Sequence, residues 1–167
     1  MSDEAAGGPA FLFDLDGTLI DSVYQHVIAW RSALQQVGVS VAVWKLHRRI
    51  GMSGGLFVNA LLREVDARLD EATLERLPDL HAEAYAEQIE SVRPLPGARE
   101  LLVRLSEREV PWAWDLMAAR RARALGIGLL SGGYGREELF FGGAFRVYED
   151  PADLLAHLYE VGVREPG

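Results

Sequence analysis

The chain has 167 residues, 49% of them hydrophobic, which is enough to bury one core with a small appended unit. Its 17 basic and 25 acidic residues give a formal net charge of −8, which argues against binding nucleic acid or an anionic membrane. The absence of cysteine excludes disulfides, thiolate nucleophiles and thiolate metal sites. No apolar stretch approaches the length of a membrane span, and the first ten residues are too acidic and short for a signal peptide. We therefore expect a soluble cytoplasmic protein.

An apolar run that ends in two aspartates is the first pattern with chemical content. Residues 10–14 predict a buried parallel strand, and its carboxyl end is where open α/β sheets bind ligands. Because side chains alternate along an extended chain, Asp14 and Asp16 would lie on one side and could hold a hard cation such as Mg²⁺. Gly17 permits a sharp turn, and Thr18 offers a hydroxyl and an N–H to an anion.

The block at residues 23–92 has helical patterning and no convincing strand. Apolar spacing predicts helices at about 23–37, 41–49, 56–65 and 74–89, the first ending at Gly38 and the last interrupted at Pro78. A crossover between parallel strands needs only one helix, so we interpret the block as an inserted helical unit. The alternative is an ordinary helical layer on the sheet. Residues 1–9, ahead of the first strand, are predicted to be a disordered leader.

The string Asp14-Leu-Asp-Gly-Thr18 resembles motif one of the haloacid dehalogenase superfamily of phosphatases, the alternative being a plain turn after a strand. The resemblance implies a Mg²⁺-dependent phosphatase of a small phosphorylated metabolite. Asp14 would be its nucleophile, Asp16 its general acid/base, and Gly17 and Thr18 its phosphate-binding residues. The helical block looks like the cap of the subgroup that includes phosphoglycolate phosphatases and β-phosphoglucomutases.

Two residues of this block are further candidates for binding the substrate. His26 resembles a position that faces the active site in some family members, and Arg49 could reach a substrate anion. For each of them, a surface or packing role is the alternative. Lys45 is the only lysine of the chain, and it does not match the lysine motif of the family. We interpret it as a solvated helix residue.

The family pattern breaks after the strand predicted at Val110–Ala113. In the family this strand ends on the serine or threonine of motif two. The lysine of motif three and the pair of acids of motif four follow it along the chain. Here Asp115 matches the second acid of that pair, while Pro111 occupies the position of the first. The resemblance implies that Asp115 is a metal ligand together with Asp14 and Asp16. We therefore infer an internal deletion after Ala113 that removed the hydroxyl, the lysine and the first acid.

The rest of the chain completes a small α/β unit. It predicts a helix with an apolar face from Ala98, strands at 127–131 and 145–148, a helical turn at 137–141 and a closing helix at 153–161. Asp150 or Asp153 would cap the closing helix, with Pro151 near its first turn. Ser131 and Tyr134 follow a predicted strand near the catalytic end of the sheet, and we interpret them as loop residues.

The predicted fold is a reduced Rossmann-like parallel sheet of three or four strands with an all-helical cap inserted after the first strand. The core would comprise residues 10–22 and 93–167, and the cap residues 23–92. The strand at 110–113 would pair with the first strand. If this strand takes the position in the sheet of the motif-four strand of the family, it would bring Asp115 to the metal. If it takes the position of the motif-two strand, Asp115 would point elsewhere. An exposed sheet edge also predicts self-association.

Three functions remain open from the sequence. The first is a phosphatase whose activity is impaired by the missing motifs. The second is an inactive remnant that keeps the fold and weak binding of Mg²⁺ or phosphate. The third is an interaction module that uses the helical cap.

Overall fold

The computed structural model describes residues 9–51, 54–114 and 125–163. The chain is an α/β protein that divides into two compact units, a helical unit at Ser22–Arg93 and an α/β unit formed by the described parts of Met1–Asp21 and Pro94–Gly167. The described strands are β1 (Phe11–Phe13), β2 (Ile20–Asp21), β3 (Arg93–Pro94), β4 (Trp112–Trp114), β5 (Gly126–Leu129) and β6 (Ala144–Tyr148). The described helices are α1 (Val23–Gln36), α2 (Val43–His47), α3 (Gly54–Glu64), α4 (Glu71–Ala86), α5 (Ala98–Glu107), α6 (Arg136–Phe141) and α7 (Pro151–Ala156).

The α/β unit is built on two pairs of parallel strands. β1 pairs with β4, with Phe11 opposite Trp112, so the predicted pairing of the first strand with the strand at 110–113 is confirmed. β5 pairs with β6 in the same parallel sense, and β2 pairs with β3. Within the described residues, the two parallel pairs are not joined into the single sheet of three or four strands that the sequence predicts. One edge of β1 and one edge of β5 therefore have no strand neighbour there.

Helix α5 supplies the apolar face predicted for it. Leu101 and Leu105 are completely buried, and they pack with Phe13 of β1 and Leu154 of α7 in one cluster. Burying a leucine side chain stabilises a fold by roughly 1.5–3 kcal/mol, so this face holds the helix against the strands.

The helical unit has its own core. The first, third and fourth helices all bury apolar side chains in one cluster, including Leu34, Phe57, Leu61 and Leu77, each at most 1% exposed. Helix α1 ends where the sequence predicts, since Gly38 adopts a φ of +76° just beyond it. None of the helices in the described ranges is long and apolar enough to cross a bilayer.

The predicted interruption at Pro78 is wrong. Helix α4 runs through this proline from Glu71 to Ala86, and Asp70 caps it by accepting a hydrogen bond from the Thr73 N–H at 2.8 Å. Pro78 lies on the exposed face, while Leu77 and Leu80 beside it are buried. The packing of these leucines offsets the loss of one helical hydrogen bond at the proline.

The closing helix is shorter than the predicted range 153–161. Helix α7 ends at Ala156, and a separate turn of tighter helix follows at Leu158–Val161. The predicted cap is confirmed at Asp150, whose Oδ1 accepts hydrogen bonds from the N–H groups of Ala152 and Asp153. Pro151 is the first residue of the helix, where its missing N–H costs nothing.

Candidate active site at the carboxyl end of the first strand

Asp14 directly follows the last residue of β1 and is half-buried. Its Oδ1 accepts a hydrogen bond from the Leu15 N–H at 2.8 Å. Burial raises the pKa of the Asp14 carboxyl, the hydrogen bond from Leu15 opposes this, and the negative charge of Asp16 raises the pKa further. The two carboxylates are therefore close enough to repel each other, as their spacing in the sequence predicts.

A tight turn follows Asp14 and carries Thr18. Gly17 is buried with a φ of +73°, which confirms the predicted sharp turn, and its N–H donates to the Ile20 carbonyl at 2.8 Å. The Leu15 carbonyl accepts hydrogen bonds from the N–H groups of Thr18 at 3.2 Å and Leu19 at 2.9 Å. Thr18 is half-buried, and its role as a phosphate ligand stays a prediction.

The pair of carboxylates fits a hard cation on electrostatic grounds. A cation beside Asp14 and Asp16 would relieve both the burial and the repulsion that raise the pKa of Asp14, and carboxylate oxygens are the ligands that Mg²⁺ prefers. Within the described ranges, no group of three or more histidine, aspartate or glutamate side chains could hold a metal ion. The two aspartates would therefore share the ion with water or substrate oxygens. Asp115, the predicted third ligand, lies outside the described residues.

Ser131 is the residue at this end of the unit that the sequence analysis assigned only to a loop. It lies just beyond β5, and its hydroxyl donates a hydrogen bond to the Gly17 carbonyl at 2.7 Å. Its own N–H donates to the Glu149 carbonyl at 3.0 Å. The position of Ser131 after a predicted parallel strand indicates that it lies near Asp14, because the carboxyl ends of parallel strands meet at one edge of a sheet.

A cavity of about 770 Å³ extends beside β1 and β5. Asp14 and Thr18 contribute to its wall, which is otherwise largely apolar and includes Phe11, Leu12, Phe13, Ile127, Leu129, Phe145 and Leu154. Each of these two strands has one strand partner within the described residues.

His26, a predicted substrate residue, lies in an aromatic stack of the helical unit. Its ring centroid is 4.1 Å from that of Tyr85 and 5.3 Å from that of His81. The His26 Nδ1 and His81 Nε2 atoms are 3.2 Å apart, close enough for one hydrogen bond. This stack gives His26 a packing role, and contact with a substrate stays a prediction.

Arg49 and Lys45 share one carboxylate within the helical unit. Lys45 Nζ lies 3.0 Å from Glu64 Oε1, and the Arg49 guanidinium pairs with Glu64 Oε2. Glu64 thus forms ion pairs with both cations. The side chains of Lys45, Arg49 and Glu64 are each about a quarter exposed. Lys45 lies in α2 and is partly solvated, with an ion pair to Glu64 that the sequence did not predict, and substrate binding by Arg49 stays a prediction.

Comparison with known proteins identifies the family. Residues 9–136 match the family described as haloacid dehalogenase-like hydrolase, a range that includes the whole of the helical unit and the turn at Asp14. The crystal structure of a hydrolase from Pseudomonas syringae superposes with a TM-score of 0.86 and 36% identity. That match covers 92% of this chain and 99% of the other.

Curated relatives include two phosphatases. A phosphoglycolate phosphatase of Pseudomonas syringae pathovar tomato is 37% identical over 105 residues, which cover 61% of this chain and 39% of that protein. Hexitol phosphatase A of Escherichia coli is 32% identical over 105 residues, covering 62% of this chain and 45% of that protein. The chain thus spans about two fifths of the length of the curated relatives that it matches.

Proposed function

The chain belongs to the haloacid dehalogenase-like hydrolase family, and on that premise we propose that it is a phosphatase that hydrolyses a small phosphomonoester with Asp14 as nucleophile. The observation that carries this proposal is the pair Asp14 and Asp16 at the carboxyl end of a parallel strand, within the matched range. The phosphatase relatives support it.

The proposed reaction has two steps on the side chains of this turn. A carboxylate oxygen of Asp14 attacks phosphorus while the ester P–O bond breaks, and Asp16, which enters this step protonated, gives its proton to the leaving alkoxide and becomes a carboxylate. Asp16 then removes a proton from a water molecule that attacks the phosphorus of the aspartyl-phosphate, which returns Asp14 and releases phosphate. The Leu15 N–H holds Asp14 Oδ1 and so orients the carboxylate for attack.

Mg²⁺ is the proposed cofactor, held by Asp14 and Asp16. When bound, it supplies positive charge that favours the ionised form of Asp14 and offsets the charge of the phosphoryl oxygens. Burial and Asp16 both raise the pKa of Asp14, and a cation at this position would oppose that shift and favour the ionised, nucleophilic form.

We propose that the rate is low for this family. The only lysine, Lys45, is paired with Glu64 in the helical unit, and the motif-two hydroxyl and first motif-four acid have no counterpart in the sequence. Loss of one preorganised electrostatic donor typically costs ~3–4 kcal/mol of transition-state stabilisation. The proposed internal deletion after Ala113 accounts for these losses together. Phosphoglycolate and a hexitol phosphate are the substrates to test first, since the relatives act on them.

The decisive experiment measures hydrolysis of an aryl phosphate, phosphoglycolate and a hexitol phosphate, with Mg²⁺ and with a chelator. We expect slow Mg²⁺-dependent phosphate release by the wild type and at least a ~1,000-fold loss in Asp14→Asn, since the nucleophile carries the chemical step. Asp79→Asn is the matched control, because it removes the same charge from an exposed position of α4. Equal rates for the wild type and Asp14→Asn would contradict the proposal.

A non-catalytic role is the second candidate. The observation in its favour is that the described residues offer only two carboxylates to a metal, with the single lysine engaged elsewhere. In that case Mg²⁺ binding measured by calorimetry would depend on Asp14 although no phosphate is released. Absence of both binding and hydrolysis would leave an interaction module of the helical unit as the remaining reading.

A further inference from the structure

The turn that carries Thr18 has hydrogen bonds of its own, and it accepts two from outside, one at the Leu19 carbonyl from the Leu95 N–H and one at the Gly17 carbonyl. The Gly17 N–H is bound by Ile20, and the N–H groups of Thr18 and Leu19 are bound by the Leu15 carbonyl. The Gly17 carbonyl accepts its hydrogen bond from outside the turn. The Gly17–Thr18 peptide is therefore held at its N–H end by Leu15 within the turn and at its carbonyl end by a residue far away in the sequence.

Ser131 is that residue, and it is well placed to hold the peptide. The main chain of Ser131 is fixed, because its N–H donates to the Glu149 carbonyl beyond β6. Its hydroxyl reaches the Gly17 carbonyl at 2.7 Å across 114 residues of sequence. The backbone comes close as well, since a Cβ added at Gly132 would lie 3.8 Å from the same carbonyl oxygen. The contact thus joins two fixed segments.

The consequence follows from the planarity of the peptide bond. The Gly17 carbonyl and the Thr18 N–H belong to one rigid plane, so a hydrogen bond to the carbonyl also sets the direction of the N–H and the start of the Thr18 side chain. The N–H end of this plane is held by the Leu15 carbonyl at 3.2 Å, and the shorter bond of 2.7 Å from Ser131 holds its carbonyl end next to a glycine with wide conformational freedom. We propose that Ser131 is a positioning residue, which holds the Gly17–Thr18 peptide in the orientation that presents Thr18 and Asp16 to the phosphoryl group.

This inference rests on the proposed function, and kinetics with Mg²⁺ test it. In Ser131→Ala we expect kcat to fall about tenfold with KM little changed, because a small misplacement of reacting groups costs rate before it costs affinity. Ser131→Thr keeps a hydroxyl and should recover most of the lost rate. Ser106→Ala is the matched control, since the Ser106 hydroxyl also donates to a carbonyl, that of Leu102 at 2.9 Å, on the exposed side of α5. A wild-type kcat in Ser131→Ala would overturn the proposal.

Amide hydrogen exchange measured by NMR tests the same contact without activity. In Ser131→Ala the amides of Gly17, Thr18 and Leu19 should exchange about five- to tenfold faster, the effect of losing one hydrogen bond. The amide of Leu105 in α5 should not change. If the wild type shows no Asp14-dependent hydrolysis, the proposed function fails and exchange alone decides the role of Ser131. Unchanged exchange in the turn would overturn the proposal whatever the activity.

Discussion

The helical unit and the α/β unit of this protein fill their interiors to different degrees. The helical unit buries Leu34, Phe57, Leu61 and Leu77 in one continuous cluster. The α/β unit packs α5 and α7 on its strands as tightly, with Leu101 and Leu105 completely buried, but it has a cavity of about 770 Å³ beside β1 and β5. The candidate active site lies beside this cavity.

Helices and strands depend on neighbouring elements in different ways. A helix satisfies its backbone hydrogen bonds within itself, so the helical unit needs only apolar faces that fit. A strand needs a neighbour on each side, and in the described ranges β1 and β5 have one each. In the described residues, the cavity of the α/β unit lies beside these two strands, while the helices of the other unit need no such neighbours.

We expect the largest difference in unfolding free energy between alanine substitutions at Leu61 and at Leu12. Leu61→Ala should lower the free energy of unfolding by about 3–4 kcal/mol, because the side chain is completely buried in the helical unit and its removal leaves a cavity. Leu12→Ala should cost only about 1 kcal/mol, because half-buried Leu12 already lines a cavity. Urea denaturation measures both. Leu101→Ala is the control, and it should match Leu61→Ala; a Leu12→Ala cost as large as theirs would contradict the comparison.

Mg²⁺ should stabilise the α/β unit through Asp14. Because burial raises the pKa of this carboxyl, the folded protein binds a proton more tightly than the unfolded chain, and without metal its stability falls as pH rises from the acidic range through that pKa. We expect Asp14→Asn to raise Tm in chelator at neutral pH. In the wild type, Mg²⁺ at 100 times its Kd should add about 2.7 kcal/mol. A Tm gain from Mg²⁺ as large in Asp14→Asn would exclude this site for the ion.

Alanine substitutions at two glycines with similar φ angles distinguish the cost of a steric clash from the cost of backbone strain. Gly97→Ala in the α/β unit places a Cβ 2.5 Å from the Ala152 Cα at a φ of +72°. Gly38→Ala in the helical unit has a φ of +76° and no atom within 4 Å of the added Cβ. We expect about 1 kcal/mol for Gly38→Ala and about 2 kcal/mol more for Gly97→Ala, measured by urea denaturation. Equal costs would show that α5 and α7 can separate without penalty.

The smallest expected effect concerns the charges of the helical unit. Glu64→Gln removes the carboxylate that Lys45 and Arg49 share, and it should cost at most about 1 kcal/mol because the side chains are partly solvated. The cost should shrink at high salt. Arg104→Gln, which breaks the more exposed pair with Glu107, is the control and should be nearly neutral. A salt-independent loss of several kcal/mol in Glu64→Gln would contradict this reading.

Sequence reasoning succeeded where a pattern is local. The apolar face of α5, the end of α1 at Gly38, the cap at Asp150 and the turn at Gly17 each depend on a few neighbouring residues, and each is confirmed. It failed at Pro78, where the packing of Leu77 and Leu80 outweighs a local helix breaker. It also failed for the closing helix, which ends at Ala156 before its apolar pattern does. Self-association through an exposed sheet edge stays a prediction, and light scattering of the purified chain would measure it.

The sequence alone was enough to predict the family and to place two aspartates after the first strand. Asp14, Asp16 and Gly17 lie within five residues of the predicted strand, and short-range geometry is enough to place them at its carboxyl end. Only the tertiary structure decided what surrounds them: the cavity beside β1 and β5, and the hydrogen bond from Ser131 to Gly17. The physical reason is distance along the chain. A contact between residues 114 positions apart depends on how strands pair, and no local pattern encodes that pairing.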